Sequence, residues 1–275
     1  MQVKDQTISY FKNKASKYDL VEEQAYWQLS DKLLWDCLST ILNKLPKDFT
    51  FLDAGGGTGR WSEKILENYP LAKGYTYDLS EEMLNEARRK KEDKRLNNRW
   101  NIIQGDLHNI KLIENNKVDI AFNFHNVLGF VKNPEKVINE IMSKVKSGGY
   151  IVSFVPSVYH AIFFNISLGH IEEAKKASNK KGRFTAEMPY IHLFTPKSIE
   201  DIYIKNSIEK EYTLGFPAFI YPGYQETQLE GNTEKIKDIL ENEEVFNTIY
   251  QLEKSFLTEE TASRGNNLFI VGRKK

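Results

Sequence analysis

Residues Phe51-Leu52-Asp53-Ala54-Gly55-Gly56-Gly57-Thr58-Gly59-Arg60 decide how the rest of the chain is read. The stretch predicts a buried apolar strand that ends on an acid and runs into a glycine-rich turn. A helix then opens at Trp61-Ser62-Glu63-Lys64-Ile65. Consecutive glycines remove the side chains that would hold a ligand off the backbone, and they permit positive φ. In open α/β sheets, a turn of this kind at the carboxyl end of the first strand binds nucleotide-like cofactors.

The spacing separates the candidate cofactors. A dinucleotide fingerprint reads G-x-G-x-x-G and seats a pyrophosphate on the helix N-terminus. Here Gly55, Gly57 and Gly59 alternate, and Arg60 stands where the third dinucleotide glycine belongs. No G-K-[ST] follows, which excludes a P-loop. Asp53 directly precedes the glycines; it would repel a pyrophosphate but suits a cofactor carrying an ammonium and a sulfonium. The pattern resembles motif I of the class I S-adenosylmethionine (SAM)-dependent methyltransferases. An aminopropyltransferase using decarboxylated SAM fits less well, because that family resembles Gly-Gly-Gly-Asp/Glu-Gly where this chain has Thr58.

Two further acids occur in order at predicted strand ends. Gly74-Tyr75-Thr76-Tyr77 ends at Asp78, and Leu79-Ser80-Glu81-Glu82 opens the next helix, with Ser80 as its cap and the two glutamates at its positive end. Trp100-Asn101-Ile102-Ile103-Gln104 runs into Gly105-Asp106-Leu107. An acid in the place of Asp78 is set to accept both ribose hydroxyls. The resemblance puts Asp106 by the adenine amino group with Leu107 against the ring. It also implies cofactor contacts at Asp53, Gly55, Gly57, Leu79 and Phe124.

From residue 50 to 157 strands and helices alternate, the pattern of a parallel sheet with helices on both faces. The fourth strand is read over 118–124. Asn133 caps the next helix, with Pro134 at its first position, and that helix is expected to stop at Gly148-Gly149. The fifth strand covers 150–155. After it an aromatic-rich helix is read over 158–178, a helix follows Thr195-Pro196, then a strand over 208–214. A long amphipathic helix or pair spans 233–257, and the last strand is 267–272. Periodicity alone gives the α/β class. The resemblance implies a Rossmann-like, mostly parallel sheet of seven strands whose last runs antiparallel. The expected organisation is an N-terminal helical lid over 1–46 and a methyltransferase domain over 47–275. Within that domain, an insertion at 158–194 and a helical cap at 215–265 form the acceptor pocket.

Composition agrees with this reading. A chain of 275 residues, 40% hydrophobic, can bury one large core with an appended lid. Lys plus Arg balances Asp plus Glu at 38 each, so no global field recruits nucleic acid. The run Arg88-Arg89-Lys90-Lys91 at a helix end reads as a solvated face. Cys37 is the only cysteine, which leaves no disulfide within the chain and no Cys-rich metal site. Met1-Gln2-Val3-Lys4-Asp5 lacks a signal peptide's apolar stretch and no run of 18 apolar residues exists, so a cytoplasmic, soluble protein is expected.

Methyl transfer from a sulfonium is an in-line displacement, and a base is needed only where the acceptor must lose a proton. Two histidines are candidates. His125 follows the fourth strand at the carboxyl edge of the sheet, beside the expected methyl position. His192, in Tyr190-Ile191-His192-Leu193-Phe194-Thr195-Pro196, resembles a His-x-Phe-Thr segment of small-molecule methyltransferases, where it faces the pocket or bonds structurally. No metal is expected. The segment Phe11-x-x-x-Ala15-x-x-Tyr18-Asp19 resembles the lid opening of ubiquinone-biosynthesis-like methyltransferases, in which an aromatic covers the methionine end of the cofactor. Tyr18 is expected in that place, with Tyr10, Tyr26 and Trp27 as further candidates and helix packing as the alternative. Arg60 is a candidate partner for the methionine carboxylate. The aromatic residues of the variable regions suit a flat or apolar small-molecule acceptor. The alternatives are an RNA-modifying methyltransferase, an NAD-dependent oxidoreductase and a catalytically silent SAM-binding protein.

Overall fold

A computed structural model describes residues 3–12 and 14–275; what was expected of Met1, Gln2 and Asn13 lies outside it. The central sheet holds β1 (Thr50–Ala54), β2 (Lys73–Asp78), β3 (Trp100–Gln104), β4 (Val118–Asn123) and β5 (Val145–Pro156). Strands β8 (Ile208–Phe216) and β9 (Asn267–Lys274) complete it, and Lys181–Gly182 (β6) and Ile191–His192 (β7) form a separate short ribbon. The strand order is β3-β2-β1-β4-β5-β9-β8, with only β9 antiparallel to its neighbours. This is the seven-stranded, Rossmann-like sheet that the sequence resemblance implied.

The helices are α1 (Val3–Lys12), α2 (Ala25–Leu42), α3 (Arg60–Asn68), α4 (Glu81–Asp93), α5 (Val127–Phe130) and α6 (Pro134–Lys144). They continue as α7 (Val158–Ser167), α8 (Ile171–Ser178), α9 (Pro196–Lys205), α10 (Tyr224–Gln228), α11 (Glu234–Leu240) and α12 (Glu243–Ser255), and a 3-10 segment spans Ala15–Glu23. Because strand side chains alternate, Phe51, Phe122 and Phe269 face one helical layer, in which α2, α3, α11 and α12 bury Leu33, Ile65, Leu240 and Tyr250. Leu52, Ala121 and Ile270 face the other, built by Ile138 and Ile141 of α6 and Tyr203 of α9. A smaller core of Ala161, Phe164, Phe184, Met188 and Leu193 holds the insertion together.

Caps follow the sequence. Ser80 accepts from the Met83 amide at 3.3 Å, Asn133 from Lys136 at 3.0 Å and Thr195 from Ser198 at 3.1 Å. Three details differ from expectation. Helix α6 ends at Lys144, and Gly148-Gly149 belongs to an irregular entry into β5 rather than to a helix stop. The aromatic helix breaks into α7 and α8 at Gly169, whose φ of +74° is a left-handed turn that glycine adopts freely. The region expected as a lid divides: α2 buries Tyr26, Leu29, Leu33 and Leu38 in the main core, whereas Val3–Lys12 and Ala15–Glu23 lie over the carboxyl edge of the sheet.

Two buried carboxylates fasten the cap. Glu253 accepts from the Ala218 and Phe219 amides, both at 2.8 Å, and Glu226 accepts from the Gly223 and Thr233 amides at 2.9 and 2.6 Å. The cap is tied to the N-terminal segment by Trp27 Nε1, which donates to the Glu226 carbonyl at 3.0 Å, and by Lys14, which donates to the Gln228 carbonyl at 3.2 Å.

Candidate cofactor and acceptor site

The strand tips at the carboxyl edge open into a cleft of about 900 Å³. Its floor is the glycine turn. A β-carbon at Gly55 (φ +82°) would lie 2.6 Å from the Val127 methyls, and one at Gly59 (φ +72°) 2.3 Å from the Trp100 ring. Side chains at these positions would collide with packed neighbours, so the backbone itself forms the wall. The Gly57 amide donates to Asp78 Oδ2 at 2.9 Å, and the Ser80 amide to Oδ1 at 2.8 Å. The Leu79 amide approaches the same carboxylate, and with about four lone-pair sites Asp78 keeps capacity to accept from a hydroxyl.

Asp53, Gly55, Gly57, Asp78 and Leu79 all line this cleft, as do Asp106, Leu107, Phe124 and Tyr18, so the residues singled out in the sequence for a cofactor meet in one place. Asp53 is buried and accepts from Ser62 Oγ at 2.8 Å. Burial pushes its pKa up to about 7; the Ser62 hydrogen bond opposes the rise and the charge of Asp78 adds to it. Asp78 is raised as well, by burial. Two carboxylates held unfavourably at one cleft, against a floor bare of side chains, suit a cationic ligand.

His108 was not singled out in the sequence, yet it lines the same cleft. Its Nε2 accepts from the Asn133 amide at 3.2 Å, which leaves the proton on Nδ1 to donate to Asp106 Oδ1 at 2.8 Å. The Asp106-x-His108 spacing was the available signal, since an Asp side chain commonly bonds the backbone two residues on, and the His108 amide does donate to it at 3.0 Å. Lys90, expected on a solvated face, instead pairs with Asp19 at 2.6 Å, and Thr58 Oγ1 donates to the other Asp19 oxygen at 2.6 Å. Asp19 thereby ties the N-terminal cover to the glycine turn and to α4.

His125 sits at the end of β4, where the sequence placed it, with φ +50° followed by Asn126 at φ +72°. Two successive non-glycine residues in the left-handed region are costly, and such strain collects at functional sites. Trp61 Nε1, which can only donate, lies 2.8 Å from His125 Nε2. The neutral ring therefore carries its proton on Nδ1, and Nε2 is already occupied. Burial, with the Arg60 charge, holds the His125 pKa well below the usual histidine value. Arg60 pairs with Asp31 and Glu22, so both its neighbours are protein carboxylates. His192 does not line the cleft; it is half-buried beside the Lys132 backbone, and its own backbone forms the β6–β7 ribbon with Lys181.

A second, smaller cavity of about 110 Å³ shares Phe11, Tyr18, Arg60, His125 and Phe130 with the cleft. Tyr10, Trp27, Phe184 and His160 add aromatic wall, and Asn126, Asn266 and Asn267 add amides. Burial pushes the Tyr18 phenol up to about 12, so it is neutral at physiological pH.

Residues 52–153, β1 through most of β5, match the family described as "Methyltransferase domain". The chain carries a class I SAM-dependent methyltransferase domain. Its cofactor is SAM, and the nine cofactor candidates above lie in or beside the matched segment except Tyr18. Among curated proteins, the tRNA 5-carboxymethoxyuridine methyltransferase of Escherichia coli K12 is 26% identical over 59% of this chain and 62% of its own. The mitochondrial 2-methoxy-6-polyprenyl-1,4-benzoquinol methylase of Caenorhabditis elegans is 27% identical over 64% of this chain and 65% of its own. The chain thus spans slightly under two thirds of the length of either relative. The methyltransferase fold also aligns with the crystal structure of geranyl diphosphate C-methyltransferase from Streptomyces coelicolor in complex with S-adenosyl-L-homocysteine. That alignment has a TM-score of 0.57 and 12% identity, covering 89% of this chain and 76% of the other. Among the described residues no cluster of His, Cys, Asp or Glu could hold a metal, and no helix is long and apolar enough to cross a membrane.

Proposed function

We propose that this protein transfers the methyl group of SAM to an O, N or C atom of a small organic molecule. The observation that carries the reading is the shared wall: the cofactor cleft and the aromatic cavity meet at Phe11, Tyr18, His125 and Phe130. Bound SAM supplies an electrophilic methyl group. Asp78 would hold the ribose hydroxyls, Asp106 and Leu107 the adenine, and Asp53 with the turn at Gly55 and Gly57 the cationic amino-acid end. Tyr18 and Phe11 cover the cleft and exclude water, which strengthens every electrostatic contact inside. Alignment of donor and acceptor across the shared wall is the main source of rate, worth several kcal/mol in well-oriented systems, on the order of 7–11 at best.

His125 acts as a fixed hydrogen-bonding and packing residue rather than as a base, because its Nε2 already accepts from Trp61. His192 stays structural. The cap and insertion, residues 158–194 and 215–265, choose the acceptor. The similarity to a tRNA methyltransferase gives RNA a place among the acceptors tested, although the balanced charge and narrow cavity favour a small molecule.

Calorimetry with SAM and S-adenosylhomocysteine, followed by radiolabelled methyl transfer to a metabolite panel and to bulk tRNA, tests the reading. Heat with both cofactors and label in a metabolite supports it. NADH binding in place of SAM, or label only in tRNA, overturns it. Binding without transfer to anything would assign the chain as a SAM-binding protein.

A further inference from the structure

The aromatic cavity contains one group that its packing does not explain. His160 of α7 is 4% exposed and lies among rings: Tyr221 at 5.1 Å, Phe184 at 5.8 Å and Phe164 at 6.0 Å between centroids. Its Nδ1 has no hydrogen-bond partner among the described residues. Burial pushes its pKa down to about 3, so the imidazole is neutral at physiological pH. Leaving a buried polar nitrogen unpaired disfavours the folded state, and a phenylalanine would fill its place among the rings. An unpaired group of this kind in a folded protein calls for a reason, and the ring lines the same cavity as His125.

The rest of the wall limits what can satisfy it. The remaining polar groups there are mostly neutral: Asn126 accepts from Asn267 at 2.6 Å, and Asn266 stands beside them. The Arg60 charge is neutralised by Asp31 and Glu22. Lys14, at the mouth, donates to the Gln228 carbonyl and lies 4.7 Å from the Tyr10 ring centre. The volume of about 110 Å³ is smaller than the cavity of about 150 Å³ that admits benzene, so one ring fills it completely and its edge extends toward the adjoining groove. The mouth opens through Tyr10, Lys14, Met188 and Leu229 into a wider groove.

Resting on the methyl-transfer reading above, we propose that His160 is the acceptor-selecting residue, and that the site takes an uncharged planar ring bearing an O–H or N–H group. The imidazole hydrogen-bonds that group through Nε2, since Nδ1 is sealed from the cavity, while Phe184 and Phe130 flank the ring. His160 acts on binding and not on the transferred methyl.

The test uses full-length protein loaded with S-adenosylhomocysteine and titrated with phenol, toluene and benzoate. The wild type should bind phenol about tenfold more tightly than toluene or benzoate, the size of one hydrogen bond to a buried neutral group. His160→Phe should lose that preference while keeping its S-adenosylhomocysteine affinity, and His160→Gln should retain part of it. Equal binding of the three rings, or an unchanged preference in His160→Phe, overturns the proposal. If S-adenosylhomocysteine does not bind, the methyl-transfer reading fails by itself. The same ring titration on unliganded protein then still decides the role of His160.

Discussion

The cleft at the strand tips and the aromatic cavity beside it are built by different means. The cleft is made of backbone and strand tips: glycines without side chains, amides that face inward, and carboxylates at the ends of β1, β2 and the β3 loop. The cavity is made of side chains from α1, the 3-10 segment, α7, the 183–190 loop and the cap, with the Asn126–Asn267 bridge as its link to the sheet. A site made from backbone demands particular residues at particular spacings. A site made from packed aromatics can be assembled by many sequences, so it leaves no motif. The difference predicts that injuries to the cleft weaken cofactor binding, whereas injuries to the cavity spare it.

The sharpest way to break that division is to delete residues 1–20. The segment contributes Thr7, Phe11 and Tyr18 to the cleft and is latched through Asp19, but α2 and its core side chains stay in place. Turnover should fall by about 100-fold, the cost of losing alignment and water exclusion, while thermal unfolding stays cooperative and shifts by only a few degrees. A truncated chain without a cooperative transition would show that the cover belongs to the core. Next in size is Asp78→Ala, which removes a charge-assisted acceptor from the cleft. SAM affinity should weaken by about 1–3 kcal/mol, read by calorimetry, with little effect on ring binding in the cavity. Unchanged SAM affinity would take Asp78 out of the site.

The same contrast explains what could be read from the sequence. Asp53, Asp78 and Asp106 were legible because each lies at or just past the end of a strand in a parallel sheet, and the topology carries all three tips to one edge. The caps at Ser80, Asn133 and Thr195 were legible because capping is local. The Asp31–Arg60–Glu22 cluster was not, since nothing in the spacing of 22, 31 and 60 says that α2 will set a carboxylate against the first residue of α3. His125 was found by position but not by chemistry. Its role turns on Trp61, a residue 64 positions away whose indole reaches the imidazole only after α3 packs on the sheet. His192, named on a resemblance alone, lies outside the cleft. Its segment resembles a pocket-facing one, but the β6–β7 ribbon turns it beside Lys132.

The smallest effect is the most direct probe of why a cationic cofactor suits the cleft. Asp53 is raised to about 7, mainly by burial. A carboxyl raised on folding binds a proton that the unfolded chain has released, so its contribution to stability falls as pH rises from the unfolded value near 3.8 through 7. In the unliganded protein this group therefore favours the folded state at pH 5 over pH 7.5. A bound cation reverses the preference, because it stabilises the carboxylate and expels the proton. SAM affinity should accordingly rise several-fold between pH 6 and 7.5, by less than the limit of about tenfold per pH unit that one proton allows. In Asp53→Asn the rise should vanish. Calorimetry across that range reads both, and a flat wild-type profile would mean that Asp53 shapes the turn through Ser62 without meeting the ligand's charge.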